Sequence, residues 1–473
     1  MKGGLMPGTG NLSRRSFLLG AASTVGVTLL AACSAPQAPA ASGGGNAPAA
    51  TTTGSAGGAA PTTAPAAATG TRKTVLFWGR EQFLPESNDY LSESVKLAGQ
   101  KGNFDVSIQL FSNDEHPQKE VVAMESGVVP DVTYTYAPAL WDQNGYALEV
   151  QSLYDEIGKS GGGWLDLADG SSRTSAGKRI AIPMNNEPWF VHLRKDKFAD
   201  VGVTLPLKTY DQMMDAFQKV NKPSDGFFAY DGQMTEADWT GNGLQWMWMF
   251  GGRLFDKEGQ PTINTPQNIA GVKAYTDLFK NNMMPPGVVS QKAAGNNEAW
   301  LSGQTACVSN PGSIVLSMRK DNPDLLKNTF LQAWPSQVDS GKFIQTAGSA
   351  TIIINKKSQA IDEAMQVARM ILSPERYPTQ LEKAGSYWFP IMKNYLNLPF
   401  FTQDEWNKEV TENIVPWTLA GQADTGLTPI FDDITISATN DMLQAIVVQG
   451  KSVEEGVKIL ADAAAAAKAK FKL

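Results

Sequence analysis

The sequence predicts an α/β protein whose body forms two lobes, and three observations carry that expectation. Beyond an N-terminal region of distinct composition, about 400 residues remain, more than one simple hydrophobic core organises. Strand-like and helix-like apolar runs alternate along that body. The body also opens in the order strand, helix, strand, helix, strand. That order builds a parallel sheet, and such sheets bind ligands beyond the carboxyl ends of their strands.

In chain order, residues 74–78 (TVLFW) read as a buried strand ending at Gly79. A helix is expected over 87–99. Residues 104–110 alternate with period two and read as a second strand. A short helix over 118–126 and a third strand over 131–134, following Pro130, complete the opening unit. Residues 180–183 and 189–193 are further extended segments. Helices are expected near 195–201, 210–220, 238–250, 266–280 and 313–320. The β-branched run over 348–354 reads as a strand, followed by a helix over 359–372 that stops before Ser373-Pro374. An Ala-rich amphipathic stretch over 453–470 is expected to pack as a terminal helix. No internal repeat is visible.

The N-terminal region has its own logic. Arg14-Arg15 directly precede an apolar stretch from Phe17 to Ala32, which falls short of the roughly 20 residues a spanning helix needs. Charged start, short apolar core and small-residue end are the marks of a secretory leader over 1–32. The paired arginines resemble a twin-arginine export signal. Leu30-Ala31-Ala32-Cys33 resembles a bacterial lipobox, which implies lipidation of Cys33 and a protein held at the outer face of the cytoplasmic membrane or in the periplasm. Residues 33–71 hold Ala, Pro, Gly, Ser and Thr with almost nothing large and apolar. Such a segment cannot offset its ordering entropy and is expected to be a disordered tether, spanning about 35 Å root-mean-square.

Composition narrows the function. The chain has 40 basic and 47 acidic residues, for a net charge of −7. Loss of the leader would remove Lys2, Arg14 and Arg15 and no acid, making the body more acidic still. An acidic surface without basic clusters argues against nucleic acid as a partner. The only membrane contact expected is the anchor. Two histidines, His116 and His192, are too few for most His-based catalytic or metal sites. Cys307 lies in the strand-like Thr305-Ala306-Cys307-Val308, where a lone thiol behaves as a small hydrophobe. Neither a metal nor a cofactor is expected.

Six motifs in order resemble extracellular solute-binding proteins of the maltose and multiple-sugar type, the receptors of ABC importers. Pro130-Asp131-Val132 resembles the "PDV" that opens a strand of the ligand-binding lobe. Residues 177–183 (GKRIAIP) resemble the start of the crossing between lobes. Arg194-Lys195-Asp196-Lys197-Phe198 is similar to the family's N-K-D-x-F, with arginine for asparagine. Val201-Gly202-Val203, Pro206 and Thr209-Tyr210-Asp211 follow as the family's next block, with tyrosine for tryptophan. Asn310-Pro311-Gly312-Ser313 is similar to an N-G-P-W turn. Gly348-Ser349 with 352–354 and 360–373 resembles the last block. The resemblance covers nearly all of 72–473. It implies a periplasmic-binding-protein fold of venus-flytrap type, with discontinuous lobes joined by a hinge. One lobe would take 72–185 and 343–380, the other 186–342 and 381–473. It also implies binding without catalysis, a permease as partner, and a monomer.

A receptor for an uncharged polyol must replace a hydration shell with fixed hydrogen bonds and cover apolar ring faces. Twelve tryptophans supply platforms. The resemblance points to Trp78 and Arg80 at the end of the first strand, Tyr136 at the end of the third, and Glu187 and Trp189 just past the crossing. It further points to Trp239, Asn310, Ser313, Ser349, Trp388 and Trp417. Ser313 stands where relatives carry a stacking aromatic, which counts against a maltodextrin-like ligand. Two alternatives stay open. A phosphorylated polyol, polyamine or other polar metabolite could take the place of the sugar, Arg80 being the visible candidate for a phosphate. A secreted glycosidase would need two carboxylates flanking the bond; Glu187 could be one, with no convincing partner.

Overall fold

A computed structural model describes residues 72–113, 115–234, 242–292, 294–420, 425–436 and 438–473. The expected leader, the tether, Cys33 and Trp239 lie outside the described residues. The strands, in chain order, are β1 (Thr74–Arg80), β2 (Asp105–Phe111), β3 (Val132–Thr135), β4 (Ile182–Pro183), β5 (Glu187–Pro188), β6 (Phe190–Arg194) and β7 (Phe228–Asp231). They continue with β8 (Thr305–Asn310), β9 (Thr329–Gln332), β10 (Trp334–Pro335), β11 (Phe343–Gly348), β12 (Thr351–Ile354) and β13 (Thr418–Ala420).

The first sheet runs β2-β1-β3-β12-β4. Its β2-β1-β3 part is parallel, as the opening order predicts. β12 then pairs antiparallel with β3 and with β4, so the sheet is mixed. Helices Pro85–Gly102 and His116–Ser126 carry the parallel crossovers. Val75, Phe77, Val132, Tyr134, Ile352 and Ile354 bury against Leu91 and Val95 of the first of these and against helix Ile361–Ile371. That core is the apolar face the period-two and period-3.6 patterns create.

The second sheet runs β7-β8-β6-β9. Its core gathers Val191, Leu193, Tyr230, Trp246 and Trp334 with the C-terminal helices, among them Val453–Phe471. That terminal helix begins with a reciprocal capping box between Ser452 and Glu455, which satisfies two of the amide donors a helix start leaves open. A third, small sheet is built from the connecting segments: β11 pairs with β10, β13 and β5.

Residues 381–415, expected with the second lobe, pack on both sides. Trp388, Phe389 and Ile391 bury in the core of the first sheet. Trp406, on helix Glu405–Asn413, stands 5.5 Å from the Phe190 ring of the second sheet and 6.3 Å from Phe389. No helix among the described residues is long and apolar enough to cross a membrane.

Candidate functional site

Strand direction decides where the chemistry collects. In the first sheet, Thr351 stands opposite both Thr135 at the end of β3 and Pro183 at the end of β4. The edge at which the chain crosses between sheets is therefore the edge at which the parallel strands β1 and β3 end. In the second sheet β6 starts at Phe190 opposite Asn310, the last residue of β8, and β7 runs parallel to β8. Both sheets turn the carboxyl ends of their parallel strands toward the crossings, where α/β proteins bind ligands.

The first sheet and the crossings meet in one polar cluster. Arg80 donates through Nη1 to Asn113 Oδ1 at 2.7 Å and through Nη2 to the Tyr136 hydroxyl at 2.8 Å and the Tyr387 hydroxyl at 3.3 Å. Its guanidinium also lies 4.1 Å above the Tyr136 ring centre, a cation–π contact. Tyr136 in turn donates to Glu187 Oε1 at 2.5 Å, and Tyr387 donates to Glu187 Oε2 at 2.9 Å. Asn185 Nδ2 donates to Glu187 Oε1 at 2.7 Å. Two tyrosine hydroxyls thus join a cation to an anion that it does not touch. Burial works against the charge on Arg80, but Tyr136, Tyr387 and Glu187 outweigh it and hold its pKa above the ordinary value. Burial drives both tyrosine hydroxyls upward, so they remain protonated and able to donate.

Glu187 is 3% exposed, and its two oxygens are already occupied by three donors of the protein itself. Its neighbour Asn185 braces the two crossings: the side-chain oxygen accepts from Ala350 N at 2.8 Å, and its carbonyl accepts from Ser349 Oγ at 2.7 Å. Ser349, expected at the ligand, spends its hydroxyl here.

One exposed aromatic ring adjoins the cluster. Phe83, three residues past Arg80, is 58% exposed and meets the Tyr387 ring edge-on at 5.0 Å. Trp417 is 39% exposed and lies 5.9 Å from Phe343 of β11. Trp78 is half-buried against Phe111 at 5.0 Å. Trp189 is half-buried and tied by its backbone amide to Thr346 at 3.0 Å.

Asn310 is buried, donating to Asn297 Oδ1 and accepting from Ser313 Oγ at 3.2 Å. The turn that carries these residues is pressed onto the one before Tyr387. A Cβ at Gly312 would stand 1.4 Å from the Ser386 carbonyl oxygen, so only glycine fits. Trp388 is fully buried in the core. Its neighbour Tyr387 faces the polar cluster.

The structure therefore brings Arg80, Tyr136 and Glu187 together, leaves Trp417 open to solvent, and places Trp388 elsewhere. Phe83, Asn113, Asn185 and Tyr387 were not singled out from sequence. Phe83 had a signal, its place in the loop after the first strand. Tyr387 had one too, but an adjacent tyrosine and tryptophan cannot be ranked without knowing which ring turns inward.

Elsewhere, burial drives the Cys307 thiol upward and holds His192 down at about 3, so neither carries reactive charge at neutral pH. Among the described residues no group of three His, Cys, Asp or Glu is placed to hold a metal.

Two mixed sheets with strand ends turned to shared crossings define an α/β fold of the periplasmic-binding-protein type. Residues 85–378, well over half the chain, match the family of bacterial extracellular solute-binding proteins, and the chain belongs to that family. A binding protein of Brucella abortus (strain 2308) is 20% identical over 149 residues, covering 32% of this chain and 36% of that relative. The chain thus matches little over a third of that relative's length. Among solved structures, maltose-bound MalE3 of T. maritima superposes with a TM-score of 0.68 at 18% identity, covering 85% of this chain and 100% of that one. A sugar transporter from Arthrobacter chlorophenolicus A6 with bound laminaribiose gives 0.70 at 16% identity, covering 83% and 99%. A solute-binding protein from Agrobacterium radiobacter K84 in complex with ribitol gives 0.68 at 15%, covering 84% and 99%.

Proposed function

We propose that this chain is a lipid-anchored receptor of an ABC importer that captures an uncharged sugar or oligosaccharide between two lobes and delivers it to the permease. The observation that carries the reading is the exposed Phe83 ring beside the Arg80–Tyr136–Tyr387–Glu187 cluster, at strand ends facing the crossings. An apolar ring face next to fixed, oriented polar groups is what a sugar requires. The similar structures with maltose, laminaribiose and ribitol support the same ligand class. Arg80, the candidate for a phosphate, has its charge met inside the protein by Glu187, which favours a neutral ligand over an anionic one.

In this reading one lobe comprises 72–185 and 343–380 and the other 186–342 and 381–473, with 381–415 packing against both. The lobes close by bending at the crossings. Ligand that touches both sides only when the cleft is shut shifts the population toward the closed form, the form the permease recognises. A micromolar dissociation constant, about −8 kcal/mol, is within reach of one or two stacked rings and several hydrogen bonds. The leader directs export, and acylated Cys33 holds the body at the membrane through the 34–71 tether.

The test is a panel of neutral sugars, polyols, amines and phosphorylated polyols, read by tryptophan fluorescence and melting temperature. A neutral sugar should shift both. Response to charged metabolites alone defeats the sugar assignment, and turnover of a bound glycoside defeats the receptor assignment. Cys33→Ala should release the exported protein from the membrane fraction; retention there would remove the anchor from this account.

A further inference from the structure

Just behind Tyr136 the chain leaves β3 for helix Pro138–Gln143, and two buried carboxyls hold that turn. Glu120, on helix His116–Ser126, accepts from Thr135 Oγ1 at 2.8 Å and from the Trp141 indole Nε1 at 3.1 Å. Thr135 Oγ1 accepts in turn from the Ala137 amide at 3.0 Å. Asp432, on helix Pro429–Ile436, accepts through Oδ2 from the Ala139 amide at 3.0 Å and the Leu140 amide at 3.3 Å. Those are amides that a helix start leaves without an intrahelical partner. Ile430, Phe431 and Ile434 of the same helix bury in the second-sheet core, so Asp432 fastens the turn to that core. Thr135, Ala137, Ala139, Leu140 and Trp141 are all tied in this way. Tyr136 stands among them, and its hydroxyl reaches Glu187 at 2.5 Å.

The titratable and charged groups facing Glu120 come from two elements. His116, on its own helix, stands 3.8 Å away; burial holds it down at about 4, with Arg80 acting in the same direction. It is therefore neutral at pH 7 and above. β3 presents Thr133 and Thr135, helix Pro138–Gln143 presents the Trp141 indole, and helix Pro429–Ile436 presents Asp432. Burial pushes the Glu120 carboxyl up to about 8, opposed by the hydrogen bonds from Thr135 and Trp141 and aided by Asp432. At neutral pH the two carboxyls thus carry one charge at most. Above pH 8, Glu120 gains a charge beside Asp432.

We propose that Glu120 and Asp432 are positioning residues that together fix the turn carrying Tyr136, and that ionisation of Glu120 beside Asp432 loosens it, so that ligand affinity falls at alkaline pH. The inference concerns regulation of the site described above and rests on the sugar-receptor reading. The sign follows from which form the turn tolerates. Neutral Glu120 meets its two donors without opposing Asp432. Ionised Glu120 sets a second negative charge near the carboxyl that the Ala139 and Leu140 amides depend on, where burial leaves little water to screen it. The hold is complete below the Glu120 pKa and fades as pH rises through it. Sugars and polyols carry no group that titrates near pH 8, so the change belongs to the protein.

Calorimetric titration of the purified full chain with maltose, laminaribiose, D-tagatose and ribitol at neutral pH identifies a bound neutral compound. That titration is then repeated up to about pH 9.5 on the parent, Glu120→Gln and Asp432→Asn, with the melting temperature read at each pH so that every titration is made on folded protein. The parent's dissociation constant should rise by about tenfold over this range, within the limit of about tenfold per pH unit that one proton sets. Glu120→Gln fixes the neutral shape, so it should bind at neutral pH within about twofold of the parent and hold that affinity throughout. Asp432→Asn keeps an oxygen for the two amides but not the charge, and its alkaline fall should shrink to about threefold or less. An alkaline fall of parental size in either variant, or none in the parent, overturns the proposal and leaves the sugar reading standing. A lowered melting temperature in Glu120→Gln with the fall intact does the same, because it makes Glu120 a structural acid only. No binding of any of the four compounds at neutral pH overturns both.

Discussion

Replacing Glu187 by glutamine tests whether the two-tyrosine relay is a real electrostatic unit. The substitution keeps the shape but turns one acceptor into a donor. One of the hydroxyls of Tyr136 and Tyr387 then loses its acceptor, and Arg80 loses the buried counter-charge of Glu187. A hydrogen bond to a charged group contributes about 1.5–3 kcal/mol. Opposite charges on the order of 5 Å apart, at an effective dielectric of about 20, attract by about 3 kcal/mol before competing solvation is subtracted. Together these predict a loss of about 3 kcal/mol. For a folding unit of about 400 residues, the unfolding entropy of about 0.8 kcal/mol/K converts that loss to a fall of about 4 °C. The assay is calorimetry and urea unfolding at neutral pH on four proteins: parent, Glu187→Gln, Arg80→Met and the double variant. With Arg80 gone, the charge on Glu187 has nothing to balance, so the double variant should be less destabilised than the sum of the singles by about 2 kcal/mol. Simple additivity, or a Glu187→Gln protein melting within a degree of the parent, refutes the relay.

Four other outcomes follow from the geometry. Phe83→Ala should weaken binding of a responding sugar by about tenfold while barely moving the melting temperature, because the ring is mostly solvent-exposed; an unchanged titration removes it from the site. Trp388→Ala should do the reverse, costing about 3–5 kcal/mol in urea unfolding as a fully buried ring is lost. Glu120 is buried beside Thr135, Trp141 and His116, and burial pushes its carboxyl up to about 8, aided by Asp432 and opposed by hydrogen bonds from Thr135 and Trp141. A carboxyl raised in the folded state stabilises at low pH. That contribution fades as pH climbs from the unfolded value near 4.5 through 8, by up to about 1.4 kcal/mol per pH unit. Glu120→Gln should flatten the stability profile across that window, and an unaltered profile contradicts the assignment. His116, held down to about 4 by burial, instead costs stability as pH falls from 6.5 through 4.

How much of this was legible beforehand depended on length scale. Helices over 210–220 and 266–280 were readable to the residue, since each combines a Thr cap with periodic apolar positions. The parallel trio β1, β2 and β3 was equally plain. Strands of two to four residues such as β5, β9, β10 and β13 were not. They span too few residues for an alternation to show, and β5, β9 and β13 exist because a strand distant in sequence supplies the other half of the ladder. The cluster around Arg80 was half visible. Arg80, Tyr136 and Glu187 stand at segment ends that order along the chain can mark, but Tyr387 joins Glu187 across 200 residues.

The amino-acid order by itself settled what local chemistry settles: the alternation of elements, the family blocks, the scarcity of catalytic side chains and the supply of aromatic rings. Tertiary structure decided which of those rings face solvent and which are core. It turned Trp388 inward and Tyr387 toward Glu187, freed Phe83, and set Asp231 at a buried strand end. The reason is that helical and strand periods are short-range properties of the chain. Burial and hydrogen-bond partnership are sums over neighbours that come from everywhere along it.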